Sequence, residues 1–578
     1  MDTASPSTAS PLTAPRLAPL FAPLLLALAM AAAPAARAQE ADLVMTGGRI
    51  VTLDEARPEV RALAAKDGRV IALGSIDELR AHIGPATRVI DLGGRLAIPG
   101  FIEGHGHFLG VGDMKAQLDL SRATSWDEIV ALVALAAEEA APGELIRGRG
   151  WHQEKWSARP EPNVDGLPVH TALSAVSPNN PVVLVHASGH ASYANARAME
   201  MCGIDAETPD PEGGELVRDA AGAPIGAFRE TASRLLARAW LAERPTDPRR
   251  LAEYARDECF AKGVTSFHDA GSSFNDIDLF RAMADQGSLG VRLYVMVREP
   301  NAALAERLAD YRMVGFGDGH LTVRAIKRAI DGALGSHGAW LLEPYADLAT
   351  SVGLNTIPVP ELAETLRIAA AHDFQVCVHA IGDRANREVL DLYAKAFAAR
   401  EGGGASLRWR IEHAQHLAPS DIPRFAELGV IAAMQGVHCT SDAPWVYARL
   451  GAERAASGAY MWRTLLDSGA VIVNGTDAPV EDLDPLASFY ATVTRKQKNG
   501  DVFFPAQRLT RLEALRSYTE AAAFAAFEER DKGRLSPGML ADIVVLSRDI
   551  LDCAEDQIQA TKVVYTVIGG EVVYDAAR

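Results

Sequence analysis

Eight apolar runs of strand length recur along the middle of the chain with helical patterns between most of them, and they constrain its fold more than any other feature. They are RLAIPGFIEGHGH, VTSFHD, VRLYVMV, LTVRAIK, FQVCVHA, RWRIEHA, VIAAMQ and VIVNGTD. A strand that is apolar on both faces has to be covered on both, which is the condition of a parallel sheet flanked by helices. Segments such as PELAETLRIAAAHD and REVLDLYAKAFAAR have the apolar spacing of such helices. Eight β-then-α units predict an α/β chain built on a closed (β/α)8 barrel, the TIM barrel. No glycine-rich dinucleotide fingerprint follows the first strand, which argues against an open nucleotide-binding sheet.

The flanking segments have a different character. Residues 39–98 and 526–578 are β-rich and punctuated by Gly-Gly, Pro and Asp-Gly turn signals. Neither holds enough strands to bury a face alone, so together they predict a small β-sandwich assembled from both chain ends, with the barrel at 99–525. Within the barrel, the stretch from His107 to Val264 far exceeds an ordinary βα connection and carries its own PVVLVHAS and ASRLLARAWLAE patterns. An inserted subdomain is expected there, at about 112–260, on the rim where active sites of such barrels lie. Residues 1–38 read as an export signal: Arg16, an apolar stretch from Leu17 to Ala33, and small residues ending Ala36-Arg37-Ala38. Pro19, Pro23 and Pro34 interrupt a run already short of the roughly 20 residues of a spanning helix. Cleavage after Ala38 and delivery to a periplasm are the expectation.

The polar residues of the barrel runs fall at their carboxyl ends. His105 and His107 end the first run, Lys327 the fourth, His379 the fifth, His413 the sixth and Asp477 the eighth. In such barrels that end is where loops converge and chemistry occurs. Residues two apart on a strand point to the same side, so His-x-His can direct two imidazoles at one cation. Taken alone the pair reads more readily as capped or core histidines; the other strand ends make it part of a constellation. Val323, Ala325 and Lys327 share the strand face that points into the barrel. A lysine buried there loses its charge readily and can add carbon dioxide to become a carbamate, an anionic oxygen ligand. An ion pair with Asp331 or a snorkelling lysine fits the same periodicity. Asp477 follows VIVNG and, as a buried carboxylate, needs a cation or hydrogen-bond donors. It is placed both to bind a metal ion and to move the proton of an attacking water.

A formal net charge of -18 without a Lys/Arg block repels phosphate backbones and anionic lipid heads, so neither nucleic acid nor a membrane surface is an expected partner. A small molecule is, and a homo-oligomer stays open. Cys202, Cys259, Cys377, Cys439 and Cys553 show no metal or disulfide spacing and read as unpaired thiols.

Nine stretches in order, IPGFIEGHGHF, GRGWHQEKW, GHASYANARAM, IKRAIDGALGSHGAWL, VCVHAIGDRAN, RIEHAQHL, AAMQGVHCTSDAPW, NGTDAPVEDLDPL and GRLSPGMLADIVVL, resemble the amidohydrolase superfamily, in its family 3 branch with the N-substituted formamide deformylases. The resemblance implies a metal-dependent hydrolase that cleaves a carbon–nitrogen bond of a non-peptide amide, an N-acyl or an N-formyl group. It implies one or two divalent ions, usually zinc. His105 and His107 would bind the more buried ion, a carboxylated Lys327 would bridge, His379 and His413 would hold the second, and Asp477 would be the metal-binding catalytic residue. Glu103, Gly436 and Thr476 depart from the family's usual aspartate, proline and serine, and none of them removes a ligand. Trp151, His190, Asn195, His438 and Asp442 are substrate-binding candidates, each with simple packing as the equal alternative. The same centre would also serve an ester or a cyclic amide, and a barrel kept only for binding would be expected to have lost Asp477 or a ligand.

Overall fold

The computed structural model describes residues 39–578 except 121, 152, 154–155, 187–190, 212–213, 241–246 and 336. The expected export signal, its cleavage site and His190 lie outside the described residues.

All eight apolar runs form strands of one parallel sheet. They are β1 (Phe101–Gly106), β2 (Val264–Ser272), β3 (Arg292–Val297), β4 (Leu321–Ala329), β5 (Gln375–Ala380), β6 (Arg410–His413), β7 (Ile431–Gln435) and β8 (Ile472–Gly475). Each pairs with the next in chain order. The seam between β8 and β1 is drawn together just past the strand ends, where Asp477 N–H donates to the His105 carbonyl at 2.8 Å and His107 N–H to that of Ala478 at 2.7 Å. Every residue of β1, β3, β6, β7 and β8 is buried, which is why these runs show no polar alternation. Helices cover the outer face: Val359–Ala371 buries Leu362, Leu366, Ile368 and Ala369, and Asp383–Ala398 buries Val389, Leu390, Tyr393 and Phe397. Tyr393 and Phe397 pack on Trp409 with ring centroids 4.9 and 5.1 Å apart, and the Tyr393 hydroxyl donates to the Arg410 carbonyl at 2.9 Å. Each such side chain taken fully from water contributes about 1.5–3 kcal/mol.

The two chain ends do combine. Leu43–Val51, Glu59–Lys66, Arg69–Gly74, Arg88–Asp91 and Leu96–Pro99 join Ile543–Leu546, Val563–Ile568 and Glu571–Asp575 in one eight-stranded sheet that branches at Leu43–Val51. Alternation splits its residues between two cores: Ile543 and Val545 pack with Leu43, Met45 and Leu63, whereas Val544 and Leu546 pack with the barrel.

After β1 the chain enters helix Phe108–Lys115 and then a separate six-stranded sheet spanning Leu118 to Glu230, with its own core of Trp126, Ile129, Leu173, Leu184 and Tyr193. Helix Pro248–Ala261 returns the chain to β2; Asp247 caps it by accepting from Arg249 N–H at 3.0 Å, and Pro248 stands in its first turn. Over ASRLLARAWLAE the described residues are helical, a 3-10 helix, Thr231–Leu236, followed by a short α-helix, Ala237–Trp240. The buried residues Ala232, Leu236 and Ala239 are spaced four and three apart, so the pattern suits either helix type. All five cysteines are unpaired. Among the described residues no helix is long and apolar enough to cross a membrane.

Candidate metal centre

Because successive strands tilt their carboxyl ends to one rim, β1, β4, β5, β6 and the turn after β8 bring their polar side chains together. His105, His413 and Asp477 are buried, and a ligand atom of each lies within 4.8 Å of the others. The His413 ring centroid is 4.8 Å from that of His105 and 4.4 Å from that of His379. Lys327 Nζ lies 3.2 Å from His105 Nε2. His107, one residue past β1 and part-exposed, places Nε2 3.2 Å from Asp477 Oδ1. The constellation read from the strand ends is therefore a spatial cluster. The Lys327–Asp331 ion pair is not formed: Asp331 instead accepts backbone N–H groups from Ile381 at 3.0 Å, Gly382 at 2.8 Å and Trp340 at 2.9 Å, with burial pushing its carboxyl up to about 7.

Backbone conformation helps aim the ligands. His413 and Asp477 both have positive φ, 75° and 57°, a left-handed conformation that costs a non-glycine residue about 1–3 kcal/mol and is held by its surroundings. For Asp477 the hold is its own N–H to the His105 carbonyl and the Val480 N–H to its carbonyl, both 2.8 Å.

Behind these candidate ligands stands a layer of orienting groups. Glu412 accepts a hydrogen bond from His105 Nδ1, leaving Nε2 turned toward Lys327 and Asp477. Glu412 is itself gripped by Arg410 at 2.7 and 2.9 Å, and Arg410 also donates to the Gly104 carbonyl at 2.7 Å and lies 3.1 Å from His268 Nδ1. Gln435 Oε1 holds His413 Nδ1 at 2.7 Å. Glu103 accepts the Thr476 N–H at 2.5 Å across the β8–β1 seam, and its burial pushes its carboxyl up to about 8. Histidine ligands characteristically pass their second ring nitrogen to such partners.

Electrostatics favour a cation. Burial, with the nearby Lys327 charge, lowers His105 to about 4; burial also holds His379 and His413 well below the usual imidazole range. Neutral imidazoles are the form that ligates. Burial lowers Lys327 against the pull of the Glu412 and Asp477 carboxylates. For Asp477, burial raises the pKa, but His107, His105 and His413 outweigh it and hold the carboxyl well below its ordinary value. Asp477 Oδ1 has only the His107 and His105 Nε2 atoms near it, at 3.2 and 3.5 Å, and buried His379 Nε2 has only Asp331 Oδ1 at 3.5 Å, and neither atom makes a well-aligned hydrogen bond among the described residues. Such poorly paired atoms are costly unless something binds them. Two imidazoles and a carboxylate whose ligand atoms lie within 4.8 Å of one another fit a divalent ion of the zinc type.

The remaining candidates divide. His438 is buried, nearly parallel to His413 with centroids 6.2 Å apart, and its Nε2 has no partner. Asp442 accepts from the Tyr460 hydroxyl at 2.5 Å and from Gln415 Nε2 at 3.1 Å. Trp151 sits in the inserted sheet, buried, with its indole N–H on the Leu184 carbonyl at 3.0 Å. Asn195 is a structural cap: its Oδ1 accepts from Val182 and Ala198 N–H, both at 2.9 Å, and its amide donates to Ser177 and Asn180, which leaves no polar atom for a ligand. Gly436, one of the departures, has a local reason: a Cβ there would stand 2.2 Å from Thr492 Oγ1 and 2.5 Å from the Ser488 carbonyl. Glu412, Arg410 and Gln435 were not singled out from sequence. The signal present was Arg410 and Glu412 two apart on one face of a barrel strand, a charge pair that a barrel interior has to explain.

Comparison with known proteins agrees with the fold. The chain is 33% identical over 548 residues to Protein LONG AFTER FAR-RED 3 of Arabidopsis thaliana, covering 92% of each chain. It is 27% identical over 553 residues to N-substituted formamide deformylase of Arthrobacter pascens, covering 93% of this chain and 99% of that one. Among solved structures, an uncharacterized metal-dependent hydrolase from Pyrococcus furiosus superposes with a TM-score of 0.68 at 26% identity, covering 88% of this chain and 100% of that one. The deformylase and the metal-dependent hydrolase support hydrolase activity. The amidohydrolase family model matches residues 88–574, and with a match over most of its length the chain belongs to the amidohydrolase family.

Proposed function

We propose that the chain hydrolyses the carbon–nitrogen bond of a small non-peptide amide, an N-acyl or N-formyl compound, after export to a periplasm. The observation that carries the proposal is the buried His105–His413–Asp477 cluster, whose ligand atoms lie within 4.8 Å of one another. One or two divalent ions, zinc first, would be held by His105, His107, His379, His413 and Asp477, with Lys327 carboxylated. In that modification the neutral Lys327 amine adds to carbon dioxide, forming an N–C bond and releasing one proton. A bound ion supplies Lewis acidity, which acidifies water and polarises a carbonyl group. Asp477 Oδ1 takes the proton from the attacking water and returns it to the departing nitrogen. His105 and His413 are kept in one tautomer by Glu412 and Gln435, so their Nε2 atoms face the reaction. The 27% identical relative named as an N-substituted formamide deformylase supports the choice of bond.

The test is a panel of N-formyl amines, N-acyl amino acids, cyclic amides and esters offered to the purified chain loaded with zinc. Release of amine from an N-formyl or N-acyl member, lost in Asp477→Asn, is the expected result. Turnover confined to esters or cyclic amides would overturn the assignment of the bond.

A further inference from the structure

Helix Gly436–Leu450 rises from the carboxyl end of β7, and its positions His438, Asp442 and Trp445, spaced four and three apart, fall on one face. His438 fixes where that face points, because its ring lies nearly parallel to that of His413 with centroids 6.2 Å apart. Asp442 stands one helical turn, about 5.4 Å, further along the helix from the candidate ligands. Gln415, two residues past His413, and Tyr460 anchor it: the Tyr460 hydroxyl donates at 2.5 Å and the Gln415 amide at 3.1 Å, both to Oδ2.

A hydrogen-bond hub is the ordinary reading of such a residue, and it accounts for Oδ2. It does not account for the charge. An asparagine would accept the same two donors without partly burying a carboxylate, whose desolvation is costly unless a cation meets it. Among the described residues no lysine, arginine or histidine forms an ion pair with Asp442. Burial raises its carboxyl against the pull of His438 and of the Tyr460 and Gln415 donors, so the place is short of positive charge. Oδ1 takes no hydrogen bond among the described residues, and with Asp442 only half-buried it is open to solvent. Trp445, three residues further along the face, is 37% exposed. A carboxylate beside an open indole is complementary to an organic ammonium group, by charge on one side and by the ring's π-face on the other.

We infer, resting on the amide hydrolysis proposed above, that Asp442 and Trp445 bind an ammonium group of the substrate, so that the preferred substrates are amides carrying a second, basic nitrogen. The ammonium donates to Asp442 Oδ1, while Oδ2 stays with Tyr460 and Gln415.

The probes are monoformylated diamines of graded chain length, N-formylcadaverine among them, each paired with the N-formyl alkylamine in which a methyl replaces the ammonium. They are titrated calorimetrically into the full chain after its metal has been stripped, so that the result does not depend on hydrolysis. At the best chain length the ammonium ligand should bind about tenfold or more tighter than its methyl partner, as one hydrogen bond to a charged group does. Asp442→Asn keeps the shape and an acceptor and removes the charge, and should cut that ratio to about twofold or less. A purely structural hub would weaken both ligands alike and leave the ratio where it was. Trp445→Ala, at an exposed position, should lower the ratio about threefold and serves as the test if Asp442→Asn does not fold. No saturable binding of any ammonium ligand, a ratio near one in the parent, or a ratio unchanged in either folded variant overturns the inference. In the zinc-loaded chain, equal kcat/KM for the paired formamides refutes the ammonium site and leaves amide hydrolysis standing. A calorimetric preference with no turnover of either member upholds the ammonium site and counts against the formamide bond.

Discussion

Replacing Glu412 by Gln removes one charge and almost no volume, and it isolates what the layer behind the metal ligands does. Arg410 and Glu412 are both fully buried, joined at 2.7 and 2.9 Å inside the barrel. Breaking a buried pair by removing one partner typically costs about 3–5 kcal/mol, because the remaining charge is left uncompensated. Arg410 keeps only the Gly104 carbonyl at 2.7 Å and the neighbouring His268 ring, so the variant should fall in that range. That is a large share of the roughly 5–15 kcal/mol that holds a domain folded. Glu412 also accepts from His105 Nδ1, so zinc affinity should fall about tenfold or more. The two effects separate in the double variant Arg410→Met with Glu412→Leu. Replacing both charges by apolar groups is often neutral, so most of the stability returns, less about 1 kcal/mol for each abandoned acceptor. Zinc binding stays weak, because His105 still lacks its acceptor. Urea unfolding of the metal-stripped chain reads the first effect, and competition with a chromophoric chelator reads the second. If Glu412→Gln unfolds within about 1 kcal/mol of the parent and binds zinc equally well, the reasoning about this pair is wrong.

Other consequences follow from the same geometry. Asp477→Asn should keep bound metal and lose about 10²–10⁴ in kcat, measured at matched zinc content; unimpaired turnover would remove the proton-transfer role. Lys327→Ala should lower metal content by emission spectrometry, and unchanged stoichiometry would reject the carbamate ligand. Asn195→Ala removes a cap and a buried hydrogen-bond hub, so it should destabilise by about 1–3 kcal/mol in urea while leaving KM unchanged. Glu513, hydrogen-bonded to Arg463 and to the Thr510 cap, has its carboxyl lowered to about 2. Its stabilisation is present above the unfolded value near 4.5 and is lost as pH falls from there toward 2. With both side chains about a third or a quarter exposed, the increment is below about 1 kcal/mol; Glu513→Gln should flatten that part of the acid limb in pH-dependent unfolding.

The placement of the strands and of the candidate ligands on one rim was legible because one physical signal served both. A parallel barrel strand is apolar throughout, so His105, Lys327, His379, His413 and Asp477 stood out as polar residues at the ends of apolar runs. Glu412 and Arg410 carried the same signal one step earlier in RWRIEHA, but their partners are Gly104, His105 and His268 on other strands, and no spacing along the chain encodes contacts of that range. Asn195 stayed open in the sequence for the opposite reason. A cap asparagine and a ligand-binding asparagine look alike in a motif, and only the helix start at Ala196 distinguishes them. Lys327 and Asp331, four apart in sequence, looked like an ion pair, yet Asp331 lies beyond the end of β4 and turns to the backbone of the turn after β5.

The central claim is that activity resides in a metal ion held by this cluster, and reconstitution tests it most directly. The purified chain, stripped by chelator and dialysed, should hydrolyse none of the N-formyl and N-acyl substrates. Zinc added back in steps should restore turnover in proportion to bound ion, reaching a plateau at one or two equivalents. A parallel His105→Ala sample should bind less ion and stay inactive. Full hydrolysis by a chain shown by emission spectrometry to be free of metal would contradict the account.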